Sequence, residues 1–575
     1  MKNIYYIAAG LLMMVMVSCN KDQLRIDQRQ TSFNVSYLTY SRFQLTSAIV
    51  DIATKYGAGV KEERINYCTL YSFDCYTPEK FGEFYTSYEE DWNMEGNPYT
   101  TSLRQLVAVK ELATNEDNLA NAAAADILKC VVGANLTEKY GDIPFSEASL
   151  GRTGNIFPKF DAQKDVYTEM FKILDAAVVT LSADSKGLPP EHDVLFGGDK
   201  SKWIKFANSL KFRLMAHSYE AFKKAGVDLA PQMQAIASSG LYMSANANNA
   251  SLAFPGKAAW DSWYYTTSFG GTGNDNTEQK PTKYLIDIMS SFDDPRMYVI
   301  FAPALAPLSS SPTKYTETLK INNYSYDVTY YPTSTVDPSA LSETASDANG
   351  TKSPSAYPLD AKWIGVSNPL RPELHYGSTG ANIPGTNYPY DNRRFTSFSK
   401  LIYEKNGDAL KAVIMESSEM AFLLAEARQK NWISTGTVNG FYKDGIRLSF
   451  ERWKIENGTK PATQIGSTKI IDNFDDYYAK PGVALDNSSA DLDKIAIQKW
   501  LSLLVVNPTE EFIDFRRSGK PAFLSKISAA FSAYGFPYRY MYPKNEYNNN
   551  KDNYNKAVSD LGGKDLSDAK MWILR

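Results

Sequence analysis

Helical periodicity is the feature that most constrains what this chain can fold into. Tyr167, Phe171, Leu174 and Val178 recur at intervals of four, three and four residues, which places them on one face of an amphipathic helix. Asp161 and Asp165 are the candidate caps for the start of that helix. A second stripe in Asp199–Lys223 is formed by Trp203, Phe206, Leu210, Leu214 and His217.

Helical patterns return after residue 400. They cover Glu416–Trp432, Val438–Lys454 and the segment from Asp491 to about Val506. The predicted inward positions are Met420, Leu424 and Ala427 in the first of these and Ile497, Trp500, Leu501 and Leu504 in the last. The paired helices predict a helical-repeat scaffold over about 31–240 and 401–535, although no clean repeat of about 34 residues is present.

The segment between the two helical regions has a different composition. Residues 241–400 are rich in Gly, Pro, Ser, Thr, Asn and Tyr, with short strand-like pieces such as Ser325–Tyr331. A loop-rich stretch of this length is usually functional and not a simple connector. We therefore expect a mainly α fold, with a loop-rich insertion over 241–400 on the ligand side and an irregular, Tyr/Asn-rich tail over 536–575.

The N-terminus is typical of an export signal. Lys2 precedes the apolar run Ile4–Val17, whose 14 residues are too few to span a bilayer. The run ends in Ser18-Cys19, which resembles a bacterial lipobox, so Cys19 is the predicted site of lipid attachment. The alternative is an ordinary secretory signal with an incidental Cys. We predict a signal peptide over 1–18, a tether over 19–30 and a single domain over 31–575, with no later stretch of about 18 apolar residues.

Charge and cysteine content limit the function further. The chain has 61 basic and 65 acidic residues, a balance that does not favour binding to a phosphate backbone, so we predict no nucleic-acid partner. It has 38 Tyr and 9 Trp but only 3 His. Cys68 and Cys75 are candidates for a local disulfide, whereas Cys130 lies in the helical pattern Ala122–Thr137 as a small buried hydrophobe.

The sequence lacks the common catalytic motifs. It contains no His-Glu-x-x-His pair, no Gly-x-Ser-x-Gly elbow, no Walker A loop and no complete EF-hand. We interpret His192, His217 and His375 as structural, and we predict no catalytic residue, metal or cofactor. A pair of carboxylates for glycoside hydrolysis remains an alternative, with candidates in Glu89-Glu90-Asp91 and at Asp261, although adjacent acids usually form a solvated face.

Two aromatic clusters are the candidate ligand-binding residues. Tyr85, Tyr88 and Trp92 accompany Phe81 and Phe84 at helical spacing, so core packing is the favoured interpretation there and ligand contact the alternative. The second cluster has neither helical nor alternating spacing, which leaves exposed binding and anchoring of a loop equally open. It consists of Trp260, Asp261, Trp263, Tyr264 and Tyr265. Aromatic faces stack on sugar rings or peptide side chains, and Trp363, Tyr376 and Arg393 are further candidates in the same insertion.

An ordered series of segments resembles the SusD/RagB family of Bacteroidetes outer-membrane lipoproteins, particularly its SusD and RagB outer-membrane lipoprotein branch. The series includes Tyr140-Gly-Asp-Ile-Pro144 within Leu136–Ala148, and it continues almost to the C-terminus. Its other members are Pro158–Asp161, Gly198–Arg213, Asp294-Pro-Arg296, Phe422–Ala427, Ile497–Trp500, Phe515–Arg517 and Tyr542–Glu546. Apart from Asp294-Pro-Arg296, the insertion 241–400 departs from the family pattern.

The resemblance implies a right-handed superhelix of four tetratricopeptide-type helix pairs and no catalysis. It also implies a lipid-anchored protein on the cell surface that acts as the lid of a SusC-like TonB-dependent transporter. Such proteins capture a glycan or, in RagB-like members, a peptide for import. The shared motifs are interpreted as scaffold: Gly141 and Pro144 as a turn, and Trp203, Trp500, Arg516 and Arg517 as packing and as buried or partner-facing charge.

Overall fold

The structure is a computed structural model. It describes residues 40–56, 71–74, 92, 97–151, 154–253, 279–335, 342–346, 352–356, 359–364, 394–403, 411–526 and 536–575. Cys19, Cys68 and Cys75 lie outside these residues, as do the predicted signal peptide and tether.

The described residues are mainly helical, which confirms the predicted fold class. Sixteen α-helices occur in the described ranges. Before the insertion they are α1 (Ser41–Tyr56), α2 (Ser102–Asn115), α3 (Leu119–Tyr140), α4 (Gln163–Ala183), α5 (Lys200–Lys224) and α6 (Ala230–Ser239). Within it they are α7 (Lys283–Ser291), α8 (Met297–Ile300) and α9 (Lys400–Tyr403). After it they are α10 (Ser417–Gln429), α11 (Val438–Arg452), α12 (Phe474–Tyr478), α13 (Asp491–Leu503), α14 (Pro508–Ser518), α15 (Lys544–Asn549) and α16 (Lys551–Asp560).

Consecutive helices pack on one another, as in a helical repeat. The pairs α1–α2, α2–α3, α3–α4 and α4–α5 are in contact before the insertion, and α10–α11 and α13–α14 after it. Helices α5 and α10 also touch, so the two parts of the scaffold form one body. The predicted stripes of α4 and α5 face the core: Tyr167, Trp203 and His217 are buried.

Polar side chains define where the scaffold helices begin. Asp199 caps α5 by accepting the backbone N–H groups of Ser201 and Lys202, and Asn118 caps α3 in the same way. The prediction that Asp161 or Asp165 caps α4 is wrong. The N-cap residue is Ala162, whose side chain has no hydrogen-bond acceptor. Asp142, which follows α3, accepts the N–H of Gln163 at 2.8 Å instead. Asp161 binds the N–H groups of Phe145 and Ser146, since the chain folds back on itself there.

Gly141 ends α3 with a φ of +95°, which confirms the predicted turn. A side chain at this position would also approach the Met571 side chain to 3.4 Å.

Short strands are concentrated in the insertion. They are β1 (Ser72–Asp74), β2 (Ala250–Leu252), β3 (Gln279–Pro281), β4 (Phe301–Ala302), β5 (Leu308–Ser309), β6 (Tyr315–Ile321), β7 (Tyr324–Pro332), β8 (Ser342–Ser346), β9 (Lys352–Ala356), β10 (Ser397–Phe398), β11 (Ala412–Met415), β12 (Glu456–Asn457) and β13 (Ile471–Asp472). The hairpin β6–β7 is antiparallel, with Tyr315 opposite Tyr330 and Ile321 opposite Tyr324. Strand β5 adds to β7 in parallel, which gives a sheet of order β5-β7-β6. Strand β7 confirms the predicted strand at Ser325–Tyr331.

A continuous cluster of buried apolar side chains runs through the scaffold, the insertion and the tail. Trp203 and Trp500 are fully buried in it, as their interpretation as scaffold residues requires, and Cys130 is buried with a free thiol. Among the described helices, only α3 is long and apolar enough to cross a membrane. Because 78% of its apolar window is buried inside the fold, α3 has the character of a core helix.

The tail after residue 536 is more ordered than its composition suggests, because it contains α15 and α16 and packs on α3. The Tyr540 N–H donates to the Lys139 carbonyl at 2.8 Å, and the fully buried Arg539 donates to the Tyr140 carbonyl at 3.1 Å. The ring of Trp572 contacts Tyr167 and Phe222, so the end of the chain completes the core beside α4 and α5.

Candidate functional site

Most of the predicted ligand-binding residues lie outside the part of the chain that the structure describes. This holds for Tyr85, Tyr88, Trp260, Asp261, Trp263, Tyr264, Tyr265, Tyr376 and Arg393, and also for His375 and the acids Glu89, Glu90 and Asp91. Trp92 and Trp363 are the two aromatic candidates that can be placed.

Trp92 lies in the core. Its side chain is 3% exposed, and the rings of Tyr140 and Phe160 pack around it at centroid distances of 5.1 and 5.5 Å. The indole N–H donates to the Glu546 Oε1 atom at 2.8 Å, which ties this segment to α15. This is the packing role that its helical spacing favoured, and a ring so enclosed offers no face to a ligand in this structure.

Trp363 is placed differently, because its ring is only partly buried. It stands edge-on to Tyr298, with 5.5 Å between the ring centroids and an angle of 87°. Burial, with a contribution from Asp293, raises the pKa of Tyr298 to about 12, so its hydroxyl keeps its proton at neutral pH. Because that hydroxyl already makes a hydrogen bond to Asp293, the pair offers a sugar or peptide its aromatic surface.

The segment that carries Trp363 is fixed at two points on the sheet. The Asp360 carboxylate accepts the Ser310 hydroxyl at 2.6 Å and also the hydroxyl of Ser309 at the end of β5. The Lys362 ammonium lies 3.1 Å from Glu317 of β6. These contacts anchor the segment that carries Trp363, which lowers the entropic cost of ordering it when a partner binds.

The solvent face of the β6–β7 hairpin is polar. Thr316 and Thr329 are opposite one another with their hydroxyl oxygens 3.0 Å apart, and the Thr318 hydroxyl donates to Asp327 at 2.6 Å. At the end of this hairpin Tyr315 is 43% exposed and stacks on Tyr330 at 4.6 Å. The described part of the insertion thus presents hydroxyls and aromatic rings from one rigid sheet. The Thr and Tyr residues of this hairpin were not predicted to form a binding surface. Their alternation along β6 and β7 is the feature of the sequence that could have indicated one.

The family-like motif Asp294-Pro-Arg296 is a buried joint. Arg296 is fully buried and donates to Asp294 at 2.6 Å, to Gln498 of α13 at 2.9 Å and to Tyr477 of α12 at 3.1 Å. Because the guanidinium binds α12 and α13 as well as Asp294 of its own motif, this motif fixes the insertion to the C-terminal part of the scaffold.

His217 lies at the centre of a buried charge network. Its Nδ1 is 2.6 Å from Glu138 of α3, and its Nε2 is 2.8 Å from Glu510 of α14. Burial by itself would lower the pKa of His217, but Glu510 and Glu138 outweigh it and raise the pKa to about 9. His217 is therefore structural, as predicted; its raised pKa favours the charged form, which was not predicted, and both ring nitrogens are engaged.

The same network contains the arrangement closest to a metal site in the described part of the chain. Donor atoms of His217, Glu510 and Asp514 lie within 4.8 Å of one another. Both ring nitrogens of His217 already lie against carboxylates, and its raised pKa favours the charged imidazole, whereas a metal ligand must be a neutral one. The Lys499 ammonium also contacts Asp514 and lies 3.7 Å from Glu510. The residues therefore fit an ion-pair network better than a metal.

The network continues into α10. Arg213 donates to both carboxylate oxygens of Glu419, and Arg517 donates to those of Glu426 at 2.8 and 2.6 Å. The side chains of Arg516 and Arg517 are almost entirely buried, so the motif Phe515-Arg-Arg517 provides buried charge, one of the two roles predicted for it. The pair Arg213–Glu419 joins helices from the two sides of the insertion, and the pair Arg517–Glu426 joins two helices after it.

Comparison with known proteins decides the family. Residues 33–340, more than half of the chain, match a family model described as "Starch-binding associating with outer membrane". Residues 377–574 match the model described as "SusD and RagB outer membrane lipoprotein". The chain belongs to the SusD/RagB family. The SusD and RagB branch that the sequence resembles therefore matches residues 377–574, whereas residues 33–340 match the SusD-like starch-binding model.

Solved structures share the fold. A SusD homologue from Bacteroides fragilis NCTC 9343 is 20% identical, with a TM-score of 0.67 over 93% of this chain and 100% of that chain. A chitin-binding protein is 22% identical, with a TM-score of 0.66 over 93% and 100%. A putative outer-membrane protein from Bacteroides vulgatus ATCC 8482, described as probably involved in nutrient binding, is 18% identical, with a TM-score of 0.65 over 92% and 100%. No protein of curated function matches this chain.

Proposed function

We propose that this protein is a cell-surface lipoprotein that captures a nutrient oligomer, with a glycan as the favoured ligand, and passes it to a SusC-like TonB-dependent transporter without catalysis. Membership of the SusD/RagB family carries this proposal. The chitin-binding and nutrient-binding relatives of the same fold support a role in binding. Acylated Cys19 is the proposed anchor to the outer membrane.

The proposed ligand surface is the insertion. It combines Trp363 and its partner Tyr298 with the candidates Trp260, Asp261, Trp263, Tyr264, Tyr265 and Tyr376, with Tyr85 and Tyr88 as a second segment. The partial burial of Trp363 and its anchoring through Asp360 and Lys362 supply the observation from the structure. A preorganised aromatic ring loses little side-chain entropy when it stacks on a ligand.

In the proposed cycle the protein acts as a lid. A ligand that contacts both the lid and the transporter binds the closed complex more tightly than the open one, and this difference shifts the population towards closure. The tether over 19–30 is the proposed hinge between the lipid and the folded domain.

The test is calorimetric titration of the soluble chain that begins at Asn20 with panels of oligosaccharides and oligopeptides, each recovered afterwards and checked for cleavage. We expect saturable binding of an intact oligosaccharide. Saturable binding of a peptide would instead support a RagB-like importer, and cleaved ligand would revive the glycoside-hydrolase alternative, with Glu89→Gln and Asp261→Asn as the next variants.

Trp263→Ala and Trp363→Ala locate the surface. Loss of a stacked aromatic ring is expected to weaken ligand binding by about tenfold, which corresponds to about 1.4 kcal/mol. Tyr547→Ala is the matched control, because Tyr547 is an aromatic residue with 48% exposure on α15, outside the insertion. If both Trp variants bind as tightly as the parent chain, the ligand surface lies elsewhere.

A further inference from the structure

Asp293 links the aromatic pair Trp363–Tyr298 to a group of charged side chains. The Tyr298 hydroxyl donates to the Asp293 carboxylate, and the Tyr298 ring stands edge-on to Trp363, so the indole and the carboxylate flank the same tyrosine. Two ammonium groups also lie against Asp293. Lys460 donates to its Oδ2 atom, and Lys480 lies 3.8 Å from the same atom. We call Asp293, Lys460 and Lys480 the Asp293 cluster.

The Asp293 carboxylate can accept further hydrogen bonds. Its side chain is 50% exposed, and both ammonium groups lie against one of its two oxygens. A carboxylate offers about four lone-pair sites, of which Tyr298, Lys460 and Lys480 use three. The same three contacts hold the carboxylate in place, which lowers the entropic cost of binding a ligand. Asp293 is therefore a preorganised acceptor beside an aromatic ring.

The charges of the Asp293 cluster are balanced by a buried acid. Lys460 also lies 3.5 Å from Asp472, so the two lysines of the cluster meet two carboxylates. Burial raises the pKa of Asp472 to about 6, which leaves this acid ionised at pH 7.5. The cluster thus offers hydrogen-bonding groups without a net charge.

The segment that carries Trp363 adds no positive charge in excess. Lys362 pairs with Glu317 at 3.1 Å, and the Asp360 carboxylate is bonded to two serine hydroxyls. Among these described residues, three ammonium groups therefore accompany four carboxylates. An anionic ligand would have to compete with a carboxylate for its ammonium partner, whereas an uncharged ligand leaves every pair intact.

A carboxylate acceptor beside an aromatic ring fits a ligand that has hydroxyl donors, an apolar ring face and no charge. We propose that Trp363 and Asp293 form one sugar subsite, in which the indole stacks on an uncharged sugar ring and the Asp293 carboxylate accepts its hydroxyl groups. The subsite depends on the proposed capture of a glycan and restricts that glycan to an uncharged one. Hydrogen bonds to an ionised acceptor are stronger than those between neutral groups, so Asp293 contributes to affinity as well as to orientation.

The test is calorimetric titration of the soluble chain that begins at Asn20, at pH 7.5. The probes are malto-, xylo- and N-acetylchito-oligosaccharides, which are uncharged, and an oligogalacturonate of matched length, which is anionic. We expect saturable binding of at least one uncharged oligomer and no binding of the galacturonate. Tighter binding of the galacturonate would overturn the subsite, and its loss in Trp363→Ala would leave the proposed capture of a glycan standing. Failure of every probe to bind would refute both.

Asp293→Asn isolates the acceptor. Asn keeps the shape and tolerates the left-handed backbone at this position, where φ is +46°, but it removes the negative charge. We expect the affinity for the uncharged oligomer to fall at least about tenfold. The galacturonate should begin to bind, because Lys460 and Lys480 have lost a carboxylate partner.

Asp117→Asn is the matched control. Asp117 is also an exposed acid with a left-handed backbone, at φ +52°, and a lysine partner, Lys186 at 2.7 Å, but it lies between α2 and α3, outside the insertion. We expect this variant to bind as the parent chain does. Equal affinities of Asp293→Asn and the parent chain for the uncharged oligomer would overturn the role of Asp293, whereas Trp363→Ala tests the aromatic surface independently.

A second measurement decides the question even if Asp293→Asn does not fold. Crystals of the parent chain with the bound oligomer are expected to show a sugar ring on Trp363 and a sugar hydroxyl within hydrogen-bond distance of an Asp293 carboxylate oxygen. A sugar that stacks on Trp363 out of reach of Asp293 would refute the subsite and leave the proposed function intact.

Discussion

His217 allows one prediction to be worked out quantitatively. Its pKa is raised from 6.5 to about 9 because Glu510 and Glu138 outweigh the effect of burial. A raised folded-state pKa means that the folded protein holds the proton more tightly than the unfolded chain. The resulting stabilisation is complete below pH 6.5 and is lost as the pH rises through about 9.

The size of this stabilisation follows from the change in the pKa of His217 on folding. About 2.5 pKa units correspond to about 3 kcal/mol of unfolding free energy, at about 1.4 kcal/mol per unit. His217→Gln removes the positive charge and leaves Glu138 and Glu510 without their shared partner, which costs about 3–5 kcal/mol at pH 6.5. Because the parent imidazole has lost its proton above pH 9, the difference between the two chains should shrink by about 3 kcal/mol between these pH values.

Urea unfolding followed by circular dichroism at pH 6.5 and 9.5 gives both free energies. Groups that are remote from His217 and titrate in both chains cancel in the comparison. His192→Gln is the control, because His192 lies in the loop before α5, where its ring packs edge-on to Phe43 and its ion-pair partner Glu191 is 4.0 Å away. A difference between parent and His217→Gln that is the same at both pH values would refute a charged His217.

Two further substitutions test packing. Gly133→Ala would place a methyl group 2.4 Å from the Phe145 ring, so we expect thermal denaturation to show a loss of about 1–3 kcal/mol in the free energy of unfolding. Gly151→Ala is the control and should change this free energy little, because no atom lies within 4 Å of the added methyl group. Trp92→Phe removes the hydrogen bond to Glu546 and should cost about 1.5–3 kcal/mol in urea unfolding while ligand affinity stays unchanged. A loss of affinity in that variant would contradict the core role of Trp92.

The scaffold was largely predictable because its signal is local. Trp203 and His217 share a helical face through their spacing, and both are buried where the stripe placed them. The cap of α4 was not predictable, since Asp142 reaches Gln163 only after the chain has turned back. The spacing of residues within one helix does not show where the chain turns back and brings a distant residue to the start of that helix.

The charge network could not be predicted from the sequence, because its partners are far apart in the chain. Arg213 and Glu419 are 206 positions apart, and His217 and Glu510 are 293 apart. Each residue alone resembles an ordinary charge on a helix, and only the fold brings the partners together. Charged residues within strongly apolar stripes, such as Arg213, were the one local indication.

The candidate site was predictable in kind but not in detail. Residues typical of loops, together with many aromatic residues, indicated that the insertion carries the ligand-binding site. Trp363 was among the weaker candidates for that site. Its supports, Asp360 against Ser309 and Lys362 against Glu317, link positions more than 40 residues apart and depend on the register of β5, β6 and β7. A single amino-acid sequence gives no measure of that register.

The buried residues Met571 and Ile573 flank a partly buried Trp572 whose ring contacts Tyr167 of α4 and Phe222 of α5. These contacts join positions that are at least 350 residues apart in the chain. Contacts between such distant positions raise the contact order, which slows folding. Helices α4 and α5 therefore reach their full packing only when the tail has docked on them, so their stability depends on residues far along the chain.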